Sequence, residues 1–132
     1  MSAAKRTGYS EVMLDHFQNP RNSGDLNDAD GEATVTNPVC GDVTRLQLKV
    51  TNDTVAVAKW KTQGCSTSIA ASSILTEIIR GMCVADAALL KPSVVTKALG
   101  GLPQTKTHSS VLAVDALKSA LADYISRRSQ AA

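Results

Sequence analysis

The sequence predicts an α+β fold: a three-stranded antiparallel sheet, helices packed mainly on one face of it, and a long C-terminal helix. Two observations carry this. Between Ala33 and Thr62 the β-forming residues recur with a period near two, and from Ser66 onward the apolar positions recur at helical spacing. Strands first and helices afterwards is the α+β order. The 132 residues fit one domain, 1–132, long enough for an apolar core without disulfides. Residues 1–8 are expected to be flexible.

Each element has its own signal. In YSEVMLDHF (9–17) Ser10 is a candidate N-cap, and Val12, Met13 and Phe17 give an apolar face to a short helix. The turn-rich NPRNSGDLNDADGE (19–32) reads as an extended surface connection without fold signal. Ala33 to Thr36 forms a first strand; Val43, Leu46, Leu48 and Val50 mark a second; TNDT turns the chain; Val55 to Trp60 forms a third. STSIAASSILTEIIRG (66–81) carries the stripe Ala71, Ile74, Leu75 and Ile78 and stops at Gly81, a usual residue just past a helix end. VADAALL (84–90) is a short helix, and Pro92 opens another through about Ala98. After Gly100-Gly101 the last helix runs from about Ser109 to Arg127 on Val111, Val114, Leu117, Leu121 and Tyr124.

Composition narrows the function classes. A net charge of +2 and only four aromatics argue against nucleic acid. No run of about 18 apolar residues could span a bilayer, and the N-terminus lacks the apolar segment of a signal peptide, so no membrane role and a cytoplasmic location are expected. Cys40, Cys65 and Cys83 make an odd count, which favours thiols or metal ligands over disulfides.

The strand order suggests where ligands meet. Cys40 and Asp42 leave the first strand, the second runs away, and the third returns over a similar length at about 3.3 Å per residue to deliver Cys65. Cys40, Asp42 and Cys65 should share one end of the sheet. Cys65 also precedes a helix whose unpaired N–H groups favour a thiolate. If the helix start at His108 docks there, two thiolates, a carboxylate and an imidazole form a set suited to zinc or an iron–sulfur centre. Plainer readings exist for each residue. Isolated cysteines are usually small buried hydrophobes, Gly41-Asp42 is a common turn pair, His108 could be a satisfied polar group, and Ser109 could simply cap a helix at about 1 kcal/mol. Cys83 points to no role.

Taken together, YSEVMLDHFQNPRN (9–22), NPVCGDVTRLQLKV (37–50), KWKTQGCSTSIAASSILTE (59–77) and LPQTKTHSSVLAVDALKSALADY (102–124) resemble the iron–sulfur cluster assembly scaffold family, the IscU type related to the N-terminal domain of NifU. The lack of an insertion between Gly81 and Leu102 resembles the IscU branch more than the zinc-dependent, sulfur-transferring SufU branch. The resemblance implies a non-enzymatic scaffold that builds a [2Fe–2S] cluster from iron and sulfur, takes sulfur from a cysteine desulfurase, and passes the cluster to acceptor proteins. It implies Cys40, Asp42, Cys65 and His108 as ligands; the same two thiolates, carboxylate and imidazole would satisfy tetrahedral zinc in isolated protein. It also implies an Hsp70/J-type chaperone pair recognising Leu102, Pro103 and Lys106, although Gln104-Thr105 departs from the family's Pro-Val.

Ser109 departs further, because it stands where the family has its third cysteine, the one credited with accepting persulfide. A hydroxyl carries no persulfide and is a poor iron ligand. Three other functions compete with the scaffold: a zinc-binding sulfur-transfer or desulfurase-regulating protein, a thiol enzyme with Cys65 as nucleophile and His108 as base, and a metal-free docking module.

Overall fold

The computed structural model describes residues 9–131; the expectation for residues 1–8 lies outside the described residues. Three strands, β1 (Gly31–Thr36), β2 (Val43–Thr51) and β3 (Thr54–Gln63), pair antiparallel in the order β1-β2-β3. The register sets Ala33 beside Leu46 and Leu46 beside Trp60. Asn52 and Asp53, both at positive φ (53° and 55°), make the two-residue hairpin turn from β2 to β3, whose left-handed pair suits the right-handed strand twist.

Helices α1 (Glu11–Gln18), α2 (Ser66–Ile79), α3 (Val84–Ala87), α4 (Pro92–Ala98) and α5 (His108–Ala131) complete the described chain, with a 3₁₀ turn at Gln104–Lys106 that the sequence had not suggested. The core joins Leu46, Leu48, Val55 and Ala58 of the sheet to Ala71, Ile74 and Leu75 of α2 and Val114, Leu117 and Leu121 of α5. Helix α2 ends at Ile79 with Arg80 as its C-cap, and Gly81 follows at φ +88°, as expected of that position.

Three expectations are corrected. On α1 the buried residues are Met13 and His16, while Val12 and Phe17 face outward, because the helix rests against polar side chains of α2. There His16 Nδ1 lies 2.7 Å from Ser73 Oγ, and His16 Nε2 3.3 Å from Glu77 Oε1. On α5, Val111 is exposed and Leu112, Ala113 and Ala116 are buried instead, since the helix starts at His108 and packs against both the sheet and α2. The connection 19–32 also has a structural job. Trp60 N–H donates to Asn22 O (3.2 Å), Gly24 N–H to Trp60 O (3.0 Å) and the Trp60 indole to Arg21 O (2.6 Å), so this segment covers part of the outer edge of β3. An uncovered sheet edge leaves backbone groups unpaired, and here turn-forming residues provide the pairing.

Candidate metal centre

The β1–β2 loop is shaped by Asn37. Its carboxamide oxygen accepts from the N–H groups of Val39 (2.8 Å) and Cys40 (3.2 Å), and its own N–H donates to Asp42 O at 2.8 Å. Gly41, at φ +78°, takes the left-handed step that separates Cys40 from Asp42, a conformation costly for a residue with a Cβ. Cys40 is exposed at the loop tip and Asp42 is buried beneath it.

The β3–α2 junction brings up Cys65 as the residue capping α2. Its thiol lies 3.3 Å from Asp42 Oδ2, and its N–H donates to the same oxygen at 3.3 Å. Gly64 makes this approach possible, since a Cβ there would sit 2.5 Å from the Asp42 carboxyl carbon. Ser68 donates to Asp42 Oδ2 at 2.7 Å.

Helix α5 delivers His108 at its first residue. One ligand atom each from Cys40, Asp42 and His108 lies within 4.8 Å of the other two. That trio does not include Cys65, which reaches the cluster through its contact with Asp42. His108 Nε2 is buried and has no hydrogen-bond partner among the described residues. A buried ring nitrogen left unpaired is costly unless something else supplies the bond, and a metal ion would. The donor set of two sulfurs, one carboxylate and one imidazole fits a borderline-soft metal such as zinc or iron.

Local chemistry favours the charged forms. Burial pushes the Asp42 carboxyl up, but the hydrogen bonds from Ser68, the Cys65 thiol and the Cys65 N–H outweigh it, and the net pKa lies below the usual carboxylate value. For Cys65, burial also pushes the thiol up; the Ser68 and Thr67 hydroxyls and the Ser68 N–H bring it below the ordinary thiol value against the opposition of Asp42. The sequence expectation of a readily ionised thiol at this helix start agrees with that direction.

The remaining expected residues fall as follows. Ser109 is not a cap: it lies inside α5, buried, with its hydroxyl turned toward α2. Leu102 packs against the core, Pro103 leads into the 3₁₀ turn, and Lys106 ends it, so one residue, Thr107, separates the loop from His108. Cys83 is exposed at the start of α3 and its backbone bridges Thr54, at the hairpin end of the sheet, far from Gln63 and the cluster. Asn37, Gly64, Thr67 and Ser68 were not singled out from sequence. Asn37-Pro38 carried a turn signal, whereas nothing local marks Ser68 as a carboxylate donor. No helix among the described residues is long and apolar enough to cross a membrane.

Fold and site together define a small α+β domain that gathers side chains of metal-ligating types at one end of a sheet. Residues 8–131 match the NifU-like N terminal domain model, and the chain belongs to that family. It is 47% identical over 116 residues to the iron-sulfur cluster assembly scaffold protein IscU 1 of Archaeoglobus fulgidus, covering 88% of this chain and 76% of that one. It is 43% identical over 124 residues to the iron-sulfur cluster assembly scaffold protein IscU of Escherichia coli, covering 91% and 96%. The crystal structure of a nitrogen-fixing NifU-like protein (N-terminal) from Brucella abortus superposes with a TM-score of 0.71 at 18% identity, over 89% of this chain and 94% of that one, a likeness of fold.

Proposed function

We propose that this chain is a scaffold on which an iron–sulfur cluster is assembled and from which it is handed on. The observation that carries the reading is the convergence of Cys40, Asp42 and His108 within 4.8 Å, with Cys65 against Asp42, in a chain so similar to named scaffold proteins. Iron and sulfide are the cargo. Cys40, Asp42, Cys65 and His108 are the holding residues, and a [2Fe–2S] unit suits four protein ligands, two to each iron.

The exposed tip at Cys40 lets sulfur arrive from a cysteine desulfurase and lets an acceptor protein approach. The loop of Leu102, Pro103 and Lys106, one residue ahead of His108, is where a chaperone of the Hsp70/J type would act on the site. The relatives' naming as scaffolds fits a non-catalytic chain and does not favour the sulfur-transfer alternative.

Anaerobic reconstitution with iron, cysteine and a desulfurase tests the reading through the absorption spectrum, iron and acid-labile sulfide. Iron and sulfide in equal amounts with charge-transfer bands in the visible are expected. Protein that holds neither iron nor sulfide, and instead hydrolyses thioesters when metal-free, would mark it as a thiol enzyme.

A further inference from the structure

Behind the ligand-bearing loops is a cluster of hydroxyls to which the scaffold reading assigns no part. Thr67, Ser68 and Ser109 are each at most 1% exposed. Ser109 Oγ lies 2.7 Å from Thr67 Oγ1 and 3.2 Å from Ser68 Oγ, and Ser68 Oγ lies 2.7 Å from Asp42 Oδ2.

The proton count orders these contacts. Each hydroxyl has one hydrogen to give, and an ionised carboxylate only accepts. Ser68 therefore spends its hydrogen on Asp42. While the Cys65 thiol keeps its proton and gives its own hydrogen, the Ser68–Ser109 contact is filled by Ser109 donating and the Ser109–Thr67 contact by Thr67 donating; Thr67 Oγ1 also lies 3.0 Å from the Cys65 sulfur, and its hydrogen turns there when the thiol ionises. The run is directional, Thr67 to Ser109 to Ser68 to Asp42, and bonds aligned this way strengthen one another. Its last bond falls on Oδ2, the oxygen that also receives the Cys65 N–H and thiol, so Oδ1 is free of these three bonds.

We propose that Ser109 is a positioning residue of the metal centre. It does not ligate; through Ser68 it aims the Asp42 carboxylate so that one oxygen is presented beside Cys40 and His108. This role belongs to a hydroxyl, because a thiol is a weak donor and cannot pass on the same bond. The inference rests on the scaffold reading of the site.

Double-mutant cycles with Co(II) alone, added to the full metal-free chain under anaerobic conditions, test it by dissociation constant and d–d absorption. Ser109→Ala and Thr67→Val, which keeps the volume of the side chain, are each expected to weaken Co(II) binding about fivefold, and the pair together no more than either one. In an Asp42→Ala background, Ser109→Ala should cause no further loss. Additive losses in either cycle, or parent-like Co(II) binding by Ser109→Ala, would overturn the proposal while leaving the scaffold reading in place. A parent chain that binds no Co(II) would remove both.

Discussion

The Cys65 sulfur lies 3.3 Å from Asp42 Oδ2, although 23 positions separate the two residues and they leave different strands. One residue, Gly64, makes the approach possible. A methyl group there would stand 2.5 Å from the Asp42 carboxyl carbon, closer than non-bonded carbons tolerate. Gly64→Ala should destabilise the fold by about 1–3 kcal/mol and weaken metal binding together, as the carboxylate is pushed off Cys65 and Ser68. Urea unfolding and Co(II) titration on the same variant check this; loss of stability with unchanged metal affinity would show that the Asp42 position is immaterial to binding.

The two helix-start cysteines should behave oppositely. Cys65 has hydroxyl partners at 3.0 and 3.5 Å and a carboxylate beside it, whereas Cys83 is exposed at the hairpin end of the sheet. Cys65→Ala is expected to lower Co(II) affinity by at least tenfold and Cys83→Ala to leave it unchanged. Equal losses would mean that the third cysteine has been misassigned.

His16 gives the fold a pH dependence near neutrality. Burial holds its pKa below the ordinary histidine value, with Arg21 adding to the effect and Glu77 and Asp15 opposing it. The unfolded chain thus binds the proton more readily, so the stability from neutral His16 is fully present above about pH 6.5 and is lost as pH falls through the lowered folded value. The urea midpoint should drop between pH 7.5 and pH 5 in the parent and drop less in His16→Gln. Parallel curves for the two proteins would assign the acid sensitivity elsewhere. The lowered carboxylates Asp15, Asp25 and Asp42 act in a separate window, below about pH 4.

Ser109→Cys should return a soft ligand to the site. The Ser109 oxygen is 3.9 Å from the Cys65 sulfur, so a thiol placed there lies within reach of a shared cluster. Cluster yield from iron, cysteine and a desulfurase is expected to rise, and a mass increase of one sulfur should be trapped at residue 109, because a thiolate attacks persulfide sulfur and a hydroxyl does not. Yields equal to the parent would show that the serine form has a complete ligand set of its own.

Much of the architecture was legible in the sequence because its signals are local. The period-two run, the TNDT turn, Pro92 and Gly81 each report the backbone conformation of their own neighbourhood, and strand lengths that nearly cancel place Cys40, Asp42 and Cys65 at one end of the sheet. Tertiary structure decided what depends on a facing surface. Val12 and Phe17 are apolar yet exposed, and His16 is polar yet buried, because α2 offers α1 hydroxyls and a carboxylate to bond. Ser109 looked like a helix cap by its place in the chain. Only the packing of α5 against the start of α2 turned its hydroxyl to Thr67 and Ser68, and hydrogen bonds between residues 41 and 42 positions apart leave no periodic trace in either segment.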